Sequence, residues 1–179
     1  MSDPPASGKK PPTPQPLAPP ASGWLANMVA ERRISQVRPN MARSGDLVTQ
    51  ARTHIASAGK IASTDSTLAL AACHDAIRKA LDAHAGAMGY RFENSPGAHR
   101  TAIEYGREVL GGRLDSDDLD EANRLRNRRH SAEYGEAPAA QIGANEIEHF
   151  AAVAFRIVKV VAAELAGTVQ GARRPRRPR

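Results

Sequence analysis

The sequence predicts an all-α protein, an antiparallel bundle of four to five helices with disordered termini. Three observations carry that prediction. Apolar residues return at three- and four-residue intervals through most of the chain between 41 and 166, the period of an amphipathic helix. Aromatic residues make up 4% of a chain that is 41% hydrophobic, too few for a β-sandwich or barrel. No segment alternates with the two-residue period of a half-buried strand.

The elements follow in order. Residues 1–21 place eight prolines in the first twenty positions and almost nothing apolar, so a disordered, partly polyproline-II arm is expected. Residues 22–40 read as a short helical lead-in through Trp24, Leu25, Met28 and Val29, and Pro39 should end it. Trp24 is expected to anchor the arm onto the bundle. The bundle proper is expected over 41–168. Its first helix, about 41–58, turns Leu47, Val48, Ala51, His54, Ile55 and Ala58 inward.

Thr64, Asp65 and Ser66 offer N-caps for the second helix. There Leu70, His74, Ile77, Leu81, His84 and Met88 form one stripe before Gly89 closes it. A third helix, about 98–110, carries Ala102, Ile103, Tyr105, Val109 and Leu110 and stops at Gly111-Gly112. A fourth runs from the Asp115-Ser116 cap to about Tyr134. The last, about 144–166, turns Ile147, Phe150, Ala151, Ala154, Ile157, Val158, Val161 and Leu165 inward. Residues 169–179 are expected to be a disordered Arg/Pro-rich tail.

A chain of 179 residues suits one domain, and its charge is unevenly placed. The formal net charge is +6, of which residues 173–179 supply +5, while residues 61–172 hold 12 basic against 16 acidic groups. A mildly acidic domain thus carries basic chain at both ends. An Arg/Pro block contacts polyanions by releasing counterions, or serves only as a solvated tail. Cys73, the one cysteine, excludes an intramolecular disulfide and a multi-cysteine metal site. It is read as a packing residue. No apolar run approaches the roughly 20 residues of a membrane span, and the proline-rich start is not a secretory signal. The expectation is a cytoplasmic protein without membrane, metal or cofactor.

Chemistry concentrates on the helix over 116–134. Asp117, Asp118, Asp120 and Glu121 fill its first turns and Arg124, Arg126, Arg128 and Arg129 its middle, an order the helix dipole favours. Projected at about 100° per residue, Leu119, Ala122, Leu125 and Ala132 form the buried face. Arg126, His130, Asn123, Tyr134 and Asn127 share a sector of about 100° beside it. Those groups need partners wherever water is excluded. They also suit metal-free RNA cleavage: His as general acid or base near neutral pH, Arg as a forked cation on the phosphate. A salt-bridged surface helix explains the same charges without any chemistry.

The run Leu70-Ala-Ala-Cys-His-Asp-Ala-Ile-Arg-Lys-Ala-Leu, then Gly89-Tyr-Arg, Gly97-Ala-His-Arg and Arg124-Leu-Arg-Asn-Arg-Arg-His-Ser-Ala-Glu-Tyr-Gly, resembles a HEPN domain. The likeness is closest to the small actinobacterial HEPN-like branch and covers about residues 44–167. It implies a helical bundle that dimerises and an Arg-x(4–6)-His motif forming a metal-independent endoribonuclease site. It further implies a toxin–antitoxin or phage-defence setting, with an antitoxin or nucleotidyltransferase partner. Arg124 and His130 satisfy Arg-x(5)-His, but Leu125 stands where many members have a polar residue. Arg126-Asn127 has the polar follower, with only three residues before His130.

Both arginines therefore stay open beside His130, with Asn127 and Tyr134 in support. Arg128, Arg129, Arg173, Arg174, Arg176, Arg177 and Arg179 are the candidate RNA contacts. The alternative is a non-catalytic HEPN-like module that binds a partner protein, nucleotide or nucleic acid. His74 and His84, about 15 Å apart along one helix, read as satisfied core or interface histidines. His74 has a lesser reading as the wall of a groove. His99 reads as a capping or surface residue, or as part of a phosphate rim. No Gly-rich phosphate loop, zinc-protease or serine-hydrolase motif occurs.

Overall fold

The computed structural model describes residues 23–94, 97–133 and 142–173. Six helices form it: α1 (Gly23–Ala30), α2 (Met41–Ile61), α3 (Ser66–Ala87), α4 (Ala98–Leu110), α5 (Ser116–Glu133) and α6 (Ala144–Arg173). The helices expected between 41 and 166 are all present. None of the described helices is long and apolar enough to cross a membrane.

α3 is the centre. It packs on α2, α4, α5 and α6. Its small residues Ala69, Ala72, Ala76, Ala80, Ala83 and Ala87 are buried along with the larger stripe of Leu70, Ile77 and Leu81. Alanine on several faces lets neighbouring helices approach closely without opening gaps. The Asp65 carboxylate caps α3 by accepting from Leu68 N at 2.8 Å. Met88 is the C-cap, and Gly89 follows it with φ +85°. A side chain at Gly89 would strain the backbone and bring a Cβ within 3.0 Å of the Val37 carbonyl oxygen.

Three expectations need correction. The fold is not purely helical: β1 (Ile34–Gln36) pairs antiparallel with β2 (Tyr90–Phe92), Ile34 opposite Phe92 and Gln36 opposite Tyr90. Strands of three residues are too short to show a period, and their pairing joins distant parts of the chain. α6 continues to Arg173, so the tail expected from 169 is helical over its first residues. Gly167 and Gly171 weaken a helix without stopping it, and no proline intervenes before Pro175. Met88 is 37% exposed, because α3 ends there and its stripe runs off the core.

A smaller cluster sits beside the main core. Leu25, Met28, Ile34, Ala85, Tyr90 and Tyr105 bury against one another, with Trp24 partly buried on their edge. Inside it His84 Nδ1 lies 2.8 Å from Tyr105 Oη. Burial pushes the His84 pKa down to about 4, so the ring is neutral at physiological pH, and burial raises that of Tyr105. The core reading of His84 thus holds. Cys73 is fully buried, its thiol pushed up to about 11 by burial, as a packing residue would be.

Candidate functional site

α5 is held in a fixed rotation. Leu119, Ala122 and Leu125 are buried, and Asp118 is gripped by Arg156 of α6. Arg156 Nε donates to both Asp118 oxygens at 3.0 Å and Nη2 donates to one at 2.6 Å. Arg107 of α4 pairs with Asp120 on another side. With the buried face set by these contacts, the arginines of α5 divide between two grooves.

One groove, about 760 Å³, is lined by Arg124, Asn127 and Arg128 against Glu146, His149 and Phe150. Its basic groups have acidic partners. Arg128 Nε donates to Glu146 Oε1 at 2.9 Å. Arg124 Nη1 lies 3.5 Å from Glu121 Oε1. His149 Nε2 is 2.8 Å from Glu121 Oε2, and this contact, with Arg124 beside it, lowers the Glu121 pKa.

The other is an open pocket of about 210 Å³ lined by His74, Gly97, His99, Arg126, Asn127, Arg129 and His130. No carboxylate stands among its described lining residues. Arg126 is aimed by neutral amides: Nε donates to Asn123 Oδ1 at 3.2 Å and Nη2 to Asn127 Oδ1 at 2.8 Å. His74, 4% exposed, forms the back wall. Its Nδ1 is 3.4 Å from Arg129 Nη1 and 3.8 Å from Asp75 Oδ1. Arginine only donates, so the nearer contact uses Nδ1 as acceptor, and one tautomer cannot serve both partners. A proton on Nδ1 would turn that nitrogen to Asp75 instead. The Asp75 carboxyl is held below the usual carboxylate range, by His74 first and then by Arg78 and Arg129, against the effect of burial.

His99 completes the pocket from α4. Gly97 precedes that helix at φ +88°, a left-handed turn that suits glycine. The His99 and His74 rings lie 4.9 Å apart between centroids, tilted by 56°. Burial lowers the His99 pKa first, and the neighbouring His74, Arg78 and Arg129 lower it further, against the Asp75 carboxylate. A neutral imidazole at pH 7 is the form that accepts a proton.

The structure therefore brings His130, Arg126, Asn127 and Arg129 together and leaves Arg124 on the other side of the helix. Asn127 stands on the crest between the grooves. Arg128 is engaged with Glu146. His74 and His99 enter through tertiary packing, in line with their lesser readings as a groove wall and a phosphate rim rather than with the favoured core and surface readings. Tyr134, Arg174, Arg176, Arg177 and Arg179 lie outside the described residues, and of Arg173 only its place at the end of α6 is described. Comparison with protein-family models, curated proteins and solved structures finds no match to this chain.

Proposed function

We propose that the chain is a HEPN-like, metal-independent endoribonuclease of the toxin or phage-defence type, acting at the pocket between α3, α4 and α5. The observation that carries this reading is the convergence of His99, His130, Arg126 and Asn127 in one pocket without a described carboxylate. A phosphodiester is an anion, and a site that binds it needs positive charge that neighbouring acids have not already neutralised.

Each group has a role in transesterification. Neutral His99 takes the proton of the RNA 2′-hydroxyl, whose oxygen then attacks phosphorus. His130 in its protonated form gives its proton to the departing 5′-oxygen as the P–O bond breaks. The products are a 2′,3′-cyclic phosphate and a 5′-hydroxyl end. Arg126 holds the non-bridging oxygens, where charge builds in the transition state, and the two asparagines keep its guanidinium in place. Over a full cycle each histidine alternates between acid and base. The homodimer, and the antitoxin or nucleotidyltransferase partner that the resemblance implies, belong to this same proposal.

The test is incubation with a mixed single-stranded RNA panel in EDTA, beside His130→Ala and His99→Ala. Cleavage that persists in EDTA, falls by about 10²–10⁴-fold in both variants and leaves cyclic-phosphate ends is the expected result. Intact RNA with folded wild-type protein would overturn catalysis and turn the pocket into the binding surface of a non-catalytic module.

A further inference from the structure

The pocket of His130 is one end of a longer groove. A second cavity, about 260 Å³, shares His99 with it and adds Arg78, Asp82, Phe92 and Asn94. A third, about 370 Å³, shares Asp82 and Phe92 with the second and adds Arg38, Arg43 and Arg91. Three cavities linked by common walls make one path, from the α5 face across α3 to the N-terminal end of α2.

Six arginines line this path (Arg38, Arg43, Arg91, Arg78, Arg126 and Arg129) against two carboxylates, Asp82 and Glu93. Both carboxylates are occupied. Arg78 Nη1 donates to Asp82 Oδ2 at 2.9 Å. Ser35 donates to Glu93, with Arg91 3.5 Å away. Arg38 and Arg43, both exposed, make no ion-pair contact within 4.0 Å among the described residues, and Arg43 is near enough to Asp82 to favour its charged form. Their segment is nonetheless fixed: Val37 N donates to Gly89 O at 2.8 Å, and Asn40 N to Gly86 O at 3.1 Å. The Asn40 side chain caps α2 by accepting from Arg43 N at 3.0 Å. Exposed positive charge without a contacting carboxylate, on an anchored backbone, is pre-organised for an anionic chain.

Phe92 supplies the other half of the recognition. Its half-buried ring packs at 5.3 Å on Tyr105, edge to face, and against both apolar clusters, while the residue lines both outer cavities. An aromatic wall between cationic stretches is how single strands are gripped without regard to sequence, bases stacking and phosphates paired with arginine. In the wall of the outermost cavity the Ser44 hydroxyl, 1% exposed, has no hydrogen-bond partner among the described residues.

We infer that this groove is a track for single-stranded RNA, with Arg38 and Arg43 holding phosphates several nucleotides away from the bond cut beside His130. The inference extends the ribonuclease reading and rests on it for the direction in which the strand is fed. Duplex RNA offers no free bases to Phe92 and is excluded as the preferred ligand.

The test separates the track from the reaction. Binding is measured with a fluorescent 2′-O-methyl oligoribonucleotide of about ten nucleotides, which lacks the attacking hydroxyl. Cleavage is measured on a ribodinucleotide, which fills only the His130 pocket. In the double variant R38E/R43E, oligonucleotide affinity should fall at least about tenfold, and R38Q/R43Q should flatten its slope against log salt by about 1.4. Dinucleotide cleavage should stay within about twofold. Unchanged affinity in both variants overturns the track while leaving the His130 reaction standing. Lost affinity in a protein that cleaves neither substrate keeps the track and removes the ribonuclease. Equal binding of a duplex of the same length overturns the single-strand assignment.

Discussion

The two faces of α5 carry the same kinds of side chain and use them differently. On the α6 side every arginine named meets an acid: Arg124 meets Glu121 and Arg128 meets Glu146. On the α3 and α4 side Arg126 meets two amides, while Arg129 meets an imidazole nitrogen and also acts on the Asp75 carboxylate, so the contrast rests on Arg126. The difference teaches where charge is spent. A guanidinium against a carboxylate holds the bundle together and leaves little field for a third party. One held by neutral dipoles is just as fixed in position, and its charge remains available to a ligand.

The largest effect that would sharpen the contrast is on cleavage. Arg126→Ala should lower the cleavage rate by about 10²–10³-fold, the usual loss when one transition-state donor is removed. Arg124→Ala should stay within roughly twofold, since it does not line that pocket. Parallel single-turnover assays measure both, and equal losses would break the division of the helix into two functions.

Next comes a contrast among the histidines. His84 is sealed beside Tyr105 and cannot shuttle protons to solvent, so its depressed pKa should appear in stability alone. Between its unfolded value of 6.5 and about 4 in the fold, the unfolded chain binds a proton that the native chain does not. Stability should therefore fall as pH drops through that window, by about 3 kcal/mol in all, and be flat above pH 7. His99, lowered as well, adds in the same direction. Urea midpoints from pH 7.5 to 4.5 check the slope, and His84→Phe should remove most of it.

The smallest effect belongs to the structural face. A double-mutant cycle between Arg128 and Glu146, each about a quarter exposed (24% and 26%), should give a coupling near 1 kcal/mol. Cleavage by Arg128→Ala, once corrected for folded fraction, should match wild type. A tenfold loss there would move Arg128 into the RNA-contacting set.

Much of this was legible in the sequence, for local reasons. The Asp65 cap, the Gly89 turn and the spacing of Leu70, Ile77 and Leu81 depend on residues a few positions apart, and the helices they delimit are observed. The polar sector of α5 could be projected because Leu119, Ala122 and Leu125 state which way the helix faces. The partners of that sector could not. His74 and His99 come from two other helices, and only the packing of α3 against α4 and α5 brings them to Arg126 and His130. The choice between Arg124 and Arg126 turned on the same information, since two residues of a helix differ by more than half a turn. β1 and β2 leave no local signal in the sequence, because each exists only through the other.

Trp24 has a practical side. It is the one tryptophan of the chain, and it rests on the small cluster around Tyr90 and Tyr105 instead of the main core. Its emission therefore watches the end of the molecule where the proline-rich arm begins, while helical ellipticity is dominated by the bundle. Separation of that cluster from α3 would shift the emission to the red before the helical signal falls. Loosening of the whole bundle at once would move both together. The protein thus carries its own optical reporter for the place where α1 leans on α3 and α4 through Ala85 and Tyr105.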